Sequence, residues 1–113
     1  VARALALTAL PGFQDDIDDL PDGATRQMAV NMLLHVRNGD VRGIPLDDRA
    51  STGDLGDCFK LYFDPDGSDK PRFRLVYRFT PNEIQAVAIE AVAVGRRQGL
   101  DAYLRAAVRL GRL

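Results

Sequence analysis

Between positions 72 and 78, Arg72, Arg74 and Arg78 alternate with Phe73, Leu75 and Tyr77. Period-two spacing puts the three arginines on one face of a strand, and each guanidinium is a planar fork that matches phosphate oxygens. Upstream, Lys60 and Tyr62 alternate with Phe59, Leu61 and Phe63, so a neighbouring strand turns Lys60 and Tyr62 to the same side. A solvated sheet face carries charge because it must, which accounts for three or four basic residues considered alone. The sharper reading is a phosphate-binding surface of Lys60, Tyr62, Arg72, Arg74 and Arg78 on the outer side of the sheet. Further on, Gly95-Arg96-Arg97 falls where a strand gives way to a loop, a position from which side chains converge on a sheet face. Tyr103 follows in the first turn of a terminal helix. Taken singly its ring is a packing residue; beside Arg96 and Arg97 it suits stacking on a base, with its hydroxyl toward a phosphate.

Other chemistry has less support. The single His35 sits near the end of a helix, away from the basic face, where it complements the helix dipole. The single Cys58 forms no internal disulfide and, with one distant His, makes no zinc site; it reads as a small buried hydrophobe. Aspartates crowd residues 15–19 and 64–69, but neither run has the twelve-residue spacing of a calcium loop, and both read as solvated. There is no glycine-rich phosphate loop, dinucleotide fingerprint or Ser-His-Asp set.

These residues need elements to position them. A chain of 113 residues with 46% apolar and 27% charged side chains suits one globular domain spanning 1–113. Its net charge of −1 hides a split: residues 1–57 carry five Arg against ten Asp, and residues 58–113 carry ten Lys or Arg against six acids. The basic half is the one that can face a polyanion. No apolar run approaches the roughly 20 residues of a membrane span, and the start, Val1-Ala2-Arg3-Ala4-Leu5, has no leader pattern. The expectation is a cytoplasmic protein without a membrane partner.

Residues 5–10 read as a strand stopped by Pro11-Gly12, and residues 12–20 as a helix with Phe13, Ile17 and Leu20 on one side and an acidic face on the other. Asp22 caps a second helix in which Ala24, Met28, Met32 and Val36 recur until Asn38-Gly39. Residues 40–57 read as loop. Strands follow at Cys58–Phe63, residues 72–79 and residues 84–94, the last apolar on both faces as in a covered sheet. Gly95 ends it, and a helix over 100–110 turns Leu100, Leu104, Ala107 and Val108 inward. The result is an α+β fold of order β-α-α-β-β-β-α: a small antiparallel sheet with an N-terminal helical hairpin on one face and a C-terminal helix.

Three strings then stand together: Gly56-Asp57-Cys58-Phe59-Lys60-Leu61, Arg72-Phe73-Arg74-Leu75-Val76-Tyr77-Arg78, and Val92-Ala93-Val94-Gly95-Arg96-Arg97, followed by Tyr103 and Ala106-Ala107-Val108-Arg109-Leu110. Their combination resembles the RelE branch of the RelE/ParE toxin superfamily over residues 53–112; upstream, the strand and helical hairpin agree in order and length. The resemblance implies the toxin of a type II toxin–antitoxin pair, an endoribonuclease that cleaves messenger RNA on the ribosome and inhibits translation with no metal or other cofactor. In that chemistry the RNA 2′-hydroxyl attacks the adjacent phosphate, so the protein must orient the backbone, stabilise a dianionic phosphorane and help protons move.

By the same resemblance, Lys60 acts in proton abstraction or charge stabilisation, Arg74 grips the scissile phosphate, Arg97 assists the phosphate and the leaving oxygen, and Tyr103 orients the substrate. Arg72, Arg78, Arg96 and Tyr62 flank them as RNA-binding residues. Tyr62 departs from the family pattern, which has a second lysine there and so a second candidate base. The implied partners are an antitoxin, with acidic residues opposite Arg74 and Arg97, and messenger RNA on the ribosome. Two alternatives share the fold: a ParE-like inhibitor of DNA gyrase, and a degenerate toxin that binds without catalysis.

Overall fold

A computed structural model describes residues 5–46, 54–67 and 69–112. The chain start, the middle of the 40–57 loop with Gly53, and Ser68 of the 64–71 turn lie outside the described residues. The elements are β1 (Ala6–Ala9), α1 (Phe13–Asp18), α2 (Gly23–Arg37), β2 (Ile44–Pro45), β3 (Cys58–Phe63), β4 (Phe73–Thr80), β5 (Ala88–Arg96) and α3 (Asp101–Arg109), with a 3-10 turn at Gln98–Leu100. The strands form one sheet in the order β1-β5-β4-β3-β2, antiparallel except for the parallel β1–β5 pair.

Local chemistry sets the boundaries. Gly12 takes φ +94°, a left-handed conformation open to glycine, and turns the chain from β1 into α1. The Asp22 carboxylate accepts the Thr25 N–H and hydroxyl, both at 2.8 Å, and starts α2. The hairpin helices bury Phe13, Ile17, Ala29, Leu33 and Val36 against Phe59, Phe63, Phe73, Leu75 and Tyr77. This is the face that the alternation in β3 and β4 assigns to the core.

The opposite face differs from its expected solvated state. It carries a second core in which Ala102, Tyr103, Ala106 and Ala107 of α3 pack on Cys58, Val76, Val92 and Ala93. Of the inward stripe expected of α3, Ala107 is buried in this core and Leu100 packs partly against it, whereas Leu104 and Val108 are exposed. Small side chains let the helix lie close to the strands, so it turns alanines rather than its larger aliphatics to the sheet. Arg74, expected outside, is buried beneath it.

Three further boundaries move. Residues 44–45, read as loop, add β2 to the free edge of β3. Arg72 precedes β4 rather than opening it. The last strand starts at Ala88, because residues 84–87 form a loop held by the Asn82 carboxamide, which accepts the Ile84 and Gln85 N–H groups at 2.9 Å. It also runs through Gly95. A bulge opposite Val76 and Tyr77 leaves Val92 without a ladder partner, and Val92 and Ala93 then both join the α3 core. The changed phase sets Gly95 opposite Arg74. Among the described residues, no helix is long and apolar enough to cross a membrane.

Candidate functional site

β3, β4 and the β5–α3 junction bring Lys60, Tyr62, Arg74, Arg97 and Tyr103 together. Tyr62 pairs across the ladder with Arg74, and Arg74 with Gly95. Gly95 leaves room there: a Cβ would collide with the Asp101 carboxylate at the start of α3. The Arg97 N–H donates to the Arg72 carbonyl at 2.8 Å, which fastens the junction to the start of β4.

Arg74 lies with its guanidinium carbon 3.9 Å from the centroid of the Tyr103 ring. It is only 6% exposed, and its Nε and Nη1 are buried with no hydrogen-bond partner among the described residues. A buried N–H without an acceptor costs on the order of 1–3 kcal/mol, more when charged. Each is a cationic donor that a phosphate or carboxylate oxygen can satisfy, but the two lie on different edges of the guanidinium, unlike the Nε and Nη2 pair with which Arg72 grips Asp64.

Tyr62 is where the cations meet. Its ring centroid is 4.5 Å from the Arg97 guanidinium carbon, 5.2 Å from that of Arg74 and 5.3 Å from Lys60 Nζ. Partial burial pushes its phenol up, but hydrogen bonding with Lys60, Arg74 and Tyr103 outweighs this and lowers its pKa to about 8. Burial alone would lower the Lys60 ammonium; the phenols of Tyr62 and Tyr103 reverse that and hold it above the usual value. Burial raises the Tyr103 phenol, with Arg74 and Lys60 opposing. Tyr103 is 3% exposed and its ring faces Arg74, so it presents no open surface on which a base could stack.

The remaining basic candidates sit apart. Arg72 is held by Asp64, whose carboxylate accepts its Nε at 2.7 Å, its Nη2 at 3.0 Å and its N–H at 3.1 Å. Arg78 pairs with Glu90 at 2.7 Å and reaches Asp57 at 3.5 Å, at the far end of β4 from the cluster. Arg96 is exposed and, with Lys70, Arg72 and Arg97, lines a groove of about 400 Å³ beside the site. A slightly larger cavity of about 440 Å³, near Arg78 and Ile84, contains none of the cluster. Cys58 is fully buried, and burial with the neighbouring Asp57 pushes its thiol up to about 12, so it is no nucleophile. His35 stands at the end of α2, 3.5 Å from Asp40.

Sequence reasoning missed what anchors α3. β1 covers β5 only as far as Ala91, leaving the edge beyond it unpaired by strand. There Asp16, 1% exposed, accepts the Val94 N–H at 3.1 Å and binds Arg105 at 2.6 Å and Arg109 Nη2 at 2.7 Å. Arg109 also donates to the Val92 carbonyl at 3.1 Å, and Arg105 to Asp101 at 3.0 Å. This network ties α1, β5 and α3 around the sheet edge. The available signal was position: Asp16 belongs with Phe13, Ile17 and Leu20 at helical spacing, not with the solvated acids.

Two solved structures align with nearly the whole chain. One is a double Arg-to-Ala mutant of the Escherichia coli toxin RelE in the free state, with a TM-score of 0.63 and 18% identity over 96% of this chain and 99% of that one. The other is the isolated E. coli RelE toxin in a P21 crystal form, with a TM-score of 0.54 and 18% identity over 95% and 99%. The chain thus has the RelE toxin fold, as its sequence resemblance implies. No protein-family model matches it, and no curated protein does so significantly.

Proposed function

We propose that this chain is the toxin of a toxin–antitoxin pair and inhibits translation by cleaving messenger RNA on the ribosome. The observation that carries the reading is Arg74, a buried guanidinium with two donors lacking an acceptor, set against Tyr103 and beside Lys60 and Arg97. In the reaction the RNA 2′-oxygen bonds to the adjacent phosphorus and the bond to the 5′-oxygen breaks. Arg74 binds a non-bridging phosphate oxygen, and Arg97 and Lys60 offset the charge that develops on the phosphorane and the leaving oxygen. Donors fixed in advance in a partly dry site stabilise that charge more than water does.

An antitoxin that places carboxylates against Arg74 and Arg97 would satisfy the same donors and block the site. Induced expression should arrest translation and produce codon-associated cuts in messenger RNA. Arrest of wild-type strength by an Arg74→Ala, Arg97→Ala double variant would overturn the reading, as would inhibited DNA supercoiling with intact RNA.

A further inference from the structure

We propose that the phenolate of Tyr62 is the general base of this cleavage, taking the proton from the attacking 2′-hydroxyl. The proposal rests on the ribonuclease reading above and on the placement of one half-buried phenol among three cations. The titratable and charged groups facing it are Lys60 on its own strand, Arg74 on β4, Arg97 at the β5–α3 junction and Tyr103 on α3. Three positive charges favour the ionised form of the group they surround.

Alternative bases around the cluster are less suited. Lys60 is held as an ammonium by the two phenols, so its contribution is charge. Tyr103 and Tyr77 both titrate above the usual tyrosine value, chiefly because of burial, and Tyr77 faces the opposite core. Tyr62, with a pKa of about 8, is the phenol whose ionisation lies near a working pH, where a base is most effective.

In the step, the 2′-O–H bond breaks, its proton passes to the Tyr62 oxygen, and the freed electron pair forms the bond to phosphorus. The bond from phosphorus to the 5′-oxygen then breaks with its electron pair on that oxygen, which takes a proton from water. The hydroxide released to solvent returns Tyr62 to the phenolate. No oxidant or metal enters this balance.

The test pairs a spectroscopic titration of the full-length protein with kinetics on messenger RNA bound to ribosomes. Phenolate absorbance of the wild type should show one of the three tyrosines ionising with a midpoint of about 8, and Tyr62→Phe should lose that step. For the wild type, kcat/KM should rise tenfold per pH unit below the midpoint and level off above it. The midpoint in kcat should be higher, because the bound phosphate adds a negative charge beside the phenolate. Tyr62→Phe keeps the ring that the cations contact and should lower the rate by about 10²–10⁴-fold, with the pH slope lost. A wild type that cleaves and a Tyr62→Phe variant that matches it overturn the base alone. A wild type that cuts no RNA at any pH, with the phenolate titration intact, overturns the ribonuclease reading and the base with it.

Discussion

At the scale of single residues, Arg74 and Tyr62 act on stability in opposite ways. Arg74 costs stability where it stands, since two of its buried nitrogens have no acceptor. Arg74→Met keeps an apolar contact with Tyr103 and removes the unsatisfied donors. It should raise stability by about 1–3 kcal/mol, read as a higher urea midpoint with an unchanged slope. Tyr62 ties stability to pH. Its folded pKa lies below the usual value of 10, so its stabilisation is complete above pH 10 and is lost as pH falls through about 8. The melting temperature of the wild type should therefore gain on that of Tyr62→Phe between pH 8 and 10, by a modest amount because the phenol is only partly buried. An equal gap at pH 7 and pH 10 would contradict the lowered pKa. These residues were legible in sequence as types on one face; the burial of Arg74 was not, because alternation along β4 says nothing of what covers it.

At the scale of elements, α3 decides whether the site exists. Its inward alanines and Tyr103 close over β4 and β5, and Asp16 holds it through Arg105 and Arg109 across a sheet edge that β1 is too short to cover. Burial pushes the Asp16 carboxyl up, and the two arginines with the Val94 N–H bring it below its usual value. Its contribution is present above about pH 4 and is lost as pH falls further. Asp16→Asn leaves two guanidiniums short of a partner and should cost about 3 kcal/mol, measurable by urea unfolding at pH 7. The difference from wild type should shrink toward pH 3. The alternation in β3 and β4, the Asp22 cap and the hairpin were all readable from residue spacing. The bulge at Val92, the short β2 and the inner face of α3 were not, because each depends on a neighbour that chain periodicity does not encode. Gly95 gives the same lesson in one position. Gly95→Ala should displace the Asp101 carboxylate, which accepts the Arg96 N–H and binds Arg105, and should lower stability by about 1 kcal/mol in a thermal melt.

At the scale of the molecule, a net charge of −1 does not describe the surface around the cluster. Several acids are matched internally: Asp16 by Arg105 and Arg109, Asp57 by Arg112, and Asp64 by Arg72. Lys60, Arg74 and Arg97 converge where β3, β4 and β5 meet α3. Three phosphate contacts on single-stranded RNA imply a slope of about −2 for log affinity against log salt, and Arg97→Ala should flatten it by about 0.7. The resemblance placed four residues in one site from scattered strings, and the fold gathers Lys60, Arg74 and Arg97 around the Tyr62 ring, with Tyr103 against Arg74. Whether Arg74 serves an RNA phosphate is tested most directly by cleavage of messenger RNA on programmed ribosomes with purified wild type and Arg74→Met. The variant should fold at least as stably as the wild type and cleave about 10²–10³-fold more slowly. A stable Arg74→Met protein that cleaves at the wild-type rate would contradict that role.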